Sequence, residues 1–278
     1  MKHEIFGFDA YSPAQIAERV QQTCVIKAHM PLLTMGLLAV LAGAFIGLGA
    51  LYFTLVISDH SLGFATSRLL GGVCFSLGLL LVVVAGAELF TGNNLLAMAW
   101  AEGCLSTREV LRDWLVVGIG NFIGAGALAV LVFLSGHPGM NEGEIARSAV
   151  QIAAAKCALP FWEAFFRGVL CNLLVCMAIW MAMAGRSVID KAVAILFPIS
   201  AFVAAGFEHS IANLYFIPLG MLLRDGLADP VAGAEAIGWV GMVRNLVPVV
   251  LGNLIGGSVL VALVYHLIYR RGARPPSS

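Results

Sequence analysis

From Leu32 to Ile57 the chain runs without a charged residue. That is longer than the roughly 20 residues a helix needs to cross the hydrocarbon core of a bilayer. In hydrocarbon every backbone N–H and C=O must find a partner inside the protein, so only helices and closed barrels can span. A long apolar run without alternation selects the helix. Further apolar runs at about 69–100, 114–134, 161–184, 192–223 and 246–269 bring the expected number of spans to six. Only 12% of residues are charged, against about a quarter in an ordinary soluble domain. The fold class is therefore an all-α membrane protein, and lipid is its first partner.

Two of these runs, 69–100 and 192–223, are 32 residues long, about half again what one helix requires. Each carries polar residues at its middle, Gly86-Ala-Glu88-Leu-Phe-Thr91-Gly-Asn93 in one and Gly206-Phe-Glu208-His209-Ser-Ile-Ala-Asn213 in the other. Both read Gly-x-Glu-x-x-x-x-Asn, and both are read as broken helices. Ionisable residues at mid-membrane are costly and face protein or a water-filled path. The glutamates are expected to brace the two breaks, because a carboxylate facing an anion would repel it. A histidine at mid-depth in a broken helix, His209, is read as functional.

The halves match a second time. Gly120-Asn121-Phe-Ile-Gly124 and Gly252-Asn253-Leu-Ile-Gly256 lie 132 positions apart, and the central motifs 120 apart. The glycines four apart are read as helix packing. Three spans per copy is odd, so the second repeat is inverted across the membrane. Such repeats with discontinuous helices place a substrate site near the midplane, with half-helix N-termini turned toward an anion.

Sixteen basic and sixteen acidic residues cancel, which removes any charge excess that would draw nucleic acid. The six cysteines show no metal-ligand spacing; they are read as packing residues, and no metal or other cofactor is expected. An intramembrane enzyme built on Glu88, Glu208 and His209 would need a motif such as H-E-x-x-H, and a water or polyol facilitator Asn-Pro-Ala at both breaks. The chain has neither, and an enzyme is not expected. Residues 1–30, with Ser12-Pro13-Ala-Gln15 as a helix start, are expected to form an amphipathic helix on the membrane surface. On a six-span path ten basic residues fall on the side of the termini and six on the other. That asymmetry predicts cytoplasmic termini in the inner membrane.

The most specific stretches are Gly71-Gly-Val-Cys-Phe75-Ser-Leu-Gly78, Glu88-Leu-Phe-Thr91, Cys171-Asn172-Leu-Leu-Val175-Cys, Ala184-Gly-Arg186-Ser and Gly206-Phe-Glu208-His209-Ser-Ile-Ala-Asn213. With them the sequence resembles the formate/nitrite transporter family nearly end to end. The resemblance implies an aquaporin-like protomer, assembled as a homopentamer with a pore in each subunit. The six transmembrane helices would form two inverted three-helix repeats, 31–134 and 161–270, within one transport domain. It makes His209 the central pore histidine, Thr91 its hydrogen-bond partner, Asn172 a polar neighbour, and Glu208 a brace of the second break. Lys156 becomes a vestibule lysine that attracts anions. Phe75, Leu79, Leu89, Phe90, Val175 and Phe202 become the apolar constrictions. The implied substrates are small anions of weak acids, formate first and nitrite second, with hydrosulfide or acetate as the alternative. Gly92-Asn93-Asn94 follows nitrite-type members, whereas Ser210-Ile-Ala-Asn213 and Ile217-Pro218-Leu-Gly220 follow formate-type ones.

Overall fold

A computed structural model of the chain describes residues 10–271; Lys2 and Arg274 of the charge count, and residues 1–9 of the N-terminal segment, lie outside the described residues. Among the described residues six helices are long and apolar enough to cross a membrane. They are α2 (Leu32–Ile57), α3 (Phe64–Gly86), α5 (Thr107–Leu134), α7 (Phe161–Ala182), α8 (Val188–Ala205) and α10 (Trp239–Tyr269). Four shorter helices complete the path: α1 (Pro13–Ala28), α4 (Leu96–Ala101), α6 (Glu144–Cys157) and α9 (Ser210–Leu223).

Both long runs break where the Gly-x-Glu motif stands. Gly86 ends α3 at φ +83° and Gly206 ends α8 at φ +74°, a left-handed conformation that a side chain disfavours. The chain then runs irregularly through Glu88 to a short turn at Gly92–Leu95 and α4, or through Glu208 directly into α9.

α2 packs against α3 and α5, and the second half repeats the arrangement with α7 against α8 and α10. The glycines of the G-N-x-I-G stretches explain how close these helices come. A Cβ on Gly124 would strike Val40 O of α2, and one on Gly256 would strike Val169 O of α7. Such backbone-to-backbone approach is how helices associate where no water drives them together.

Three elements differ from the sequence expectation. α5 starts at Thr107 rather than near 114, so Arg108, Glu109, Arg112 and Asp113 are helical and not in a loop. Its start is a reciprocal cap: Ser106 Oγ accepts from Glu109 N at 3.3 Å, and Glu109 Oε2 accepts from Ser106 N at 2.8 Å. The polar first turn hides this start from a reading based on apolar runs. Second, the polar stretch 135–160 contains α6, which buries Ile145, Ala146, Ala149, Val150, Ala153 and Ala154 at helical spacing. Third, α1 has the expected cap at Ser12 and Gln15, but its buried face of Ile16, Ala17, Val20 and Cys24 packs on α4 and the end of α10. That face is covered by protein and not by lipid. α1 and α6 thus precede the two halves as matching elements, and each carries a lysine in its last turn, Lys27 or Lys156.

Substituting Gly124→Val or Gly256→Val should destabilise the fold by about 3 kcal/mol or more, since backbone on the facing helix cannot yield as a side chain can. Gly126→Ala, whose Cβ meets nothing within 4 Å, should be neutral. Thermal unfolding in detergent of the three variants checks this.

Candidate functional site

A helix interrupted in lipid leaves backbone groups without intrahelical partners. In each half an asparagine from the third span supplies them. Asn121 of α5 donates to Ala39 O of α2 at 2.7 Å and to Glu88 O at 2.9 Å, and accepts from Phe90 N at 2.9 Å. Asn253 of α10 donates to Gly168 O of α7 at 2.8 Å and to Glu208 O at 3.0 Å, and accepts from Ser210 N at 3.0 Å. The same three bonds recur in both copies, so the asparagine of G-N-x-I-G is a clamp on the break and only its glycines are packing residues.

The two glutamates sit in the breaks, each held by a lysine. Glu88 pairs with Lys27 Nζ at 3.1 Å and accepts from Asn93 Nδ2 at 2.8 Å. Glu208 pairs with Lys156 Nζ at 2.9 Å and accepts from Asn213 Nδ2 at 2.7 Å. Asn93 passes the network on to Asp113 Oδ1 at 2.9 Å, and Asn213 to Asn245 Oδ1 at 2.6 Å. Lys156 is therefore engaged with Glu208 and not a free cation. Lys27, read from the sequence only as part of a charge count, is its counterpart.

Where the two breaks differ, chemistry emerges. The 120-residue offset matches His209 with Leu89 and Thr91 with Ile211, so each break contributes one polar residue that the other lacks. These two meet: His209 Nε2 and Thr91 Oγ1 are 3.0 Å apart, although 118 positions separate them. His209 Nδ1 accepts from Ala212 N at 3.1 Å and caps α9. Because an amide can only donate, the ring as held carries its proton on Nε2 and donates it to Thr91. Phe202 stacks on the imidazole, with centroids 5.9 Å apart, and Phe75 meets Phe202 edge-on at 5.7 Å.

Two cavities flank this pair. One, of about 250 Å³, opens toward the α6 face and is lined by His209, Phe202, Lys156, Glu208 and Arg68 among others. The other, of about 300 Å³, opens toward the α1 face and is lined by Lys27, Glu88, Leu89, Gly92 and Lys191. The His209–Thr91 bond joins a residue of the first wall to a residue whose neighbours Leu89 and Gly92 line the second. Arg68, which the sequence reading used only for topology, donates to Val203 O and Ala204 O at the end of α8. It adds a cation to the α6-face cavity. Arg167 lines the same cavity and pairs with Glu163 at 3.1 Å, as their i,i+4 spacing predicts.

Of the other expected site residues, Phe75 and Phe202 line the α6-face cavity and Leu89 the α1-face cavity. Leu79 and Val175 are buried and line neither. Phe90 is also buried and lies beside α5, where a Cβ on Gly118 would be 3.8 Å from its ring. Among the described residues no hydrogen bond joins Asn172 to His209. Its amide donates to Asn94 Oδ1 at 2.7 Å, Asn253 O at 2.7 Å and Thr91 O at 3.2 Å, tying the first break to α10.

Residues 14–267 match the model of the family described as formate/nitrite transporter. The chain belongs to the formate/nitrite transporter family. It is 39% identical over 275 residues to the formate channel FocA of Escherichia coli strain K12, covering 95% of this chain and 96% of that one. It is 33% identical to the formate channel FocA of Haemophilus influenzae, over 91% and 93% of the two chains. Among solved structures it resembles a pentameric formate channel with formate bound, at TM-score 0.79 and 36% identity over 86% of this chain and 97% of that chain. An ion channel of the same family aligns at TM-score 0.81 and 29% identity, over 91% and 98%. The all-α fold of six spans with two broken helices is that of the family, whose members are membrane transporters and not enzymes.

Removing one partner of a buried ion pair leaves the other charge uncompensated, at a cost of about 3–5 kcal/mol. Lys156→Met should therefore unfold at a markedly lower temperature than wild type. The double variant Lys156→Met with Glu208→Gln should recover part of that loss in the same thermal assay.

Proposed function

We propose that this protein carries small anions of weak acids, formate first and nitrite second, passively or together with a proton, through one pore per subunit of a homopentamer. The observation that carries this reading is the 3.0 Å bond between His209 and Thr91, set between two cavities with lysines in their walls. The similarity to a pentameric formate channel supports the assembly and the first substrate.

A bare anion crossing an apolar constriction loses its hydration at large cost. Arg68 of the α6-face cavity draws the anion to the mouth, with a smaller contribution from Lys156, whose charge Glu208 offsets. In the resting ring Nδ1 is occupied by Ala212 N–H, so His209 greets the anion as a neutral donor through Nε2 and Thr91. A second proton on Nδ1 displaces that amide and makes the ring a cation. The cation either balances the anion or gives up a proton, so that the neutral acid passes Phe75, Phe202 and Leu89. Leu79, Phe90 and Val175 support these walls from behind. Asn172 acts by fixing the carbonyl of Thr91 and so the direction of its hydroxyl.

Flux should accordingly rise as pH falls, because both routes need a second proton on the ring. His209→Phe should abolish neutral-acid passage while the oligomer keeps its size on gel filtration. His209→Asn should retain a path with a flat pH profile, and Thr91→Ala should be intermediate. Formate and nitrite flux into liposomes at several pH values measures all four; an asparagine variant with the wild-type profile would remove His209 from the mechanism.

The excess of basic residues on the side of α1 supports an inner-membrane orientation with both termini cytoplasmic. In this reading one transport domain spans the chain, its repeats 31–134 and 161–270 each preceded by a lysine-bearing helix. Reporter fusions at each end should be active only in the cytoplasmic sense.

A further inference from the structure

The two lysine–glutamate clusters match residue for residue except at one place: α5 supplies Asp113 where α10 supplies Asn245. In the α6-face cluster, Asn245 gives Oδ1 to the Asn213 amide and uses Nδ2 as a donor, to Lys156 O at 2.9 Å and Glu208 Oε2 at 3.4 Å. In the α1-face cluster, Asp113 gives Oδ1 to the Asn93 amide at 2.9 Å. Its second oxygen, Oδ2, is fully buried and receives no donor among the described residues. That oxygen occupies the role of Nδ2, the position at which the other cluster presents hydrogens.

The charges make the same point. Lys27 is the cation bonded within this cluster, and Nζ is already shared between Glu88 Oε2 at 3.1 Å and Asn93 Oδ1 at 3.0 Å. The Arg112 guanidinium, next to Asp113 in the chain, is turned to Ala28 O and Met30 O at 3.2 Å each. The other groups near Asp113 are Glu88, an acid that draws on the same Asn93 amide, and Cys24 of α1. Lys191 of α8 lines the cavity in front of them. With a proton on Oδ2 the cluster is neutral, as Lys156 and Glu208 are on the other face, and Oδ2–H becomes the missing donor. Without it the Lys27–Glu88–Asp113 cluster behind the wall of the α1-face cavity carries one net negative charge.

We propose that Asp113 is a proton-carrying residue that sets the charge of the α1-face vestibule, admitting anions from that face when protonated and turning them away when ionised. This rests on the reading of the protein as an anion transporter, and gives its two faces different responses to pH. A unit charge within roughly 10 Å of the entering anion changes entry by about tenfold.

The test uses the full-length protein in sealed vesicles of known orientation, with formate flux measured while pH is stepped on one face and fixed on the other. In wild type, making the α1 face alkaline should lower entry from that face about tenfold more than the same step lowers entry from the α6 face. Asp113→Asn, which recreates the chemistry of the other cluster, should make the faces equal, and the double variant Asp113→Asn with Asn245→Asp should transfer the dependence to the α6 face. Infrared spectra of the purified protein should show the carbonyl band of a protonated carboxyl that Asp113→Asn removes and Glu208→Gln, in the other cluster, keeps. A band that survives Asp113→Asn, or an asymmetry between faces that persists in that variant, overturns the proposal. If wild type moves neither formate nor nitrite, the transport reading fails instead, and the infrared band still decides whether Asp113 holds the proton.

Discussion

The structure depends on how two helices can be broken inside hydrocarbon. Each break strips several backbone groups of their helical partners, and in lipid each unpaired group costs several kcal/mol. Asn121 and Asn253 answer this with both donors and the oxygen of one amide each, two bonds donated and one accepted. Both reach the facing full span as well as the break, so the clamp that satisfies the loop also fixes α5 on α2 and α10 on α7. The glycines one turn away allow the backbones to come close enough for that reach.

The buried acids follow from the same constraint. Glu88 and Glu208 hold the loops in place but bring charge into a region where charge is costly, and Lys27 and Lys156 offset it from the last turns of α1 and α6. Two helices that precede the spans are thereby tied into the centre of the protein. Because the scaffold is built twice from equivalent residues, the positions that depart from equivalence stand out. Leu89 against His209 and Thr91 against Ile211 create the mid-membrane hydrogen bond. Asp113 against Asn245 makes the two faces chemically different.

Much of the fold was legible because lipid enforces long apolar runs, and an interruption in such a run is conspicuous. The ends of Leu32–Ile57 and the two breaks could be read directly. The elements that were missed are amphipathic or polar at their starts. α6 hides in a polar stretch, since alanine at helical spacing leaves little hydropathy signal, and the first turn of α5 is charged because it caps itself. Among site residues, Glu88, Glu208 and His209 announced themselves by their cost in a membrane. Lys27 and Arg68 did not, because a lysine or arginine near a span end is ordinarily read as a topology signal. Asn172 is a partial case: the residue is buried at the centre, but its bonds hold the carbonyl of Thr91 and not the imidazole.

The sequence by itself determined that the chain spans a membrane six times, that two spans are broken at a Gly-x-Glu motif, and that its halves repeat. Those are local properties, fixed by the length of apolar runs and by residues that do not fit them. Only the tertiary structure decided which nitrogen of His209 holds its proton, that Lys156 is spent on Glu208, and that Oδ2 of Asp113 finds no donor among the described residues where Asn245 itself donates. The first is set by the local cap on Ala212 N, whose geometry only the folded turn shows; the other two depend on groups from different helices arriving within about 3 Å of one another, and distance in the chain carries no record of that.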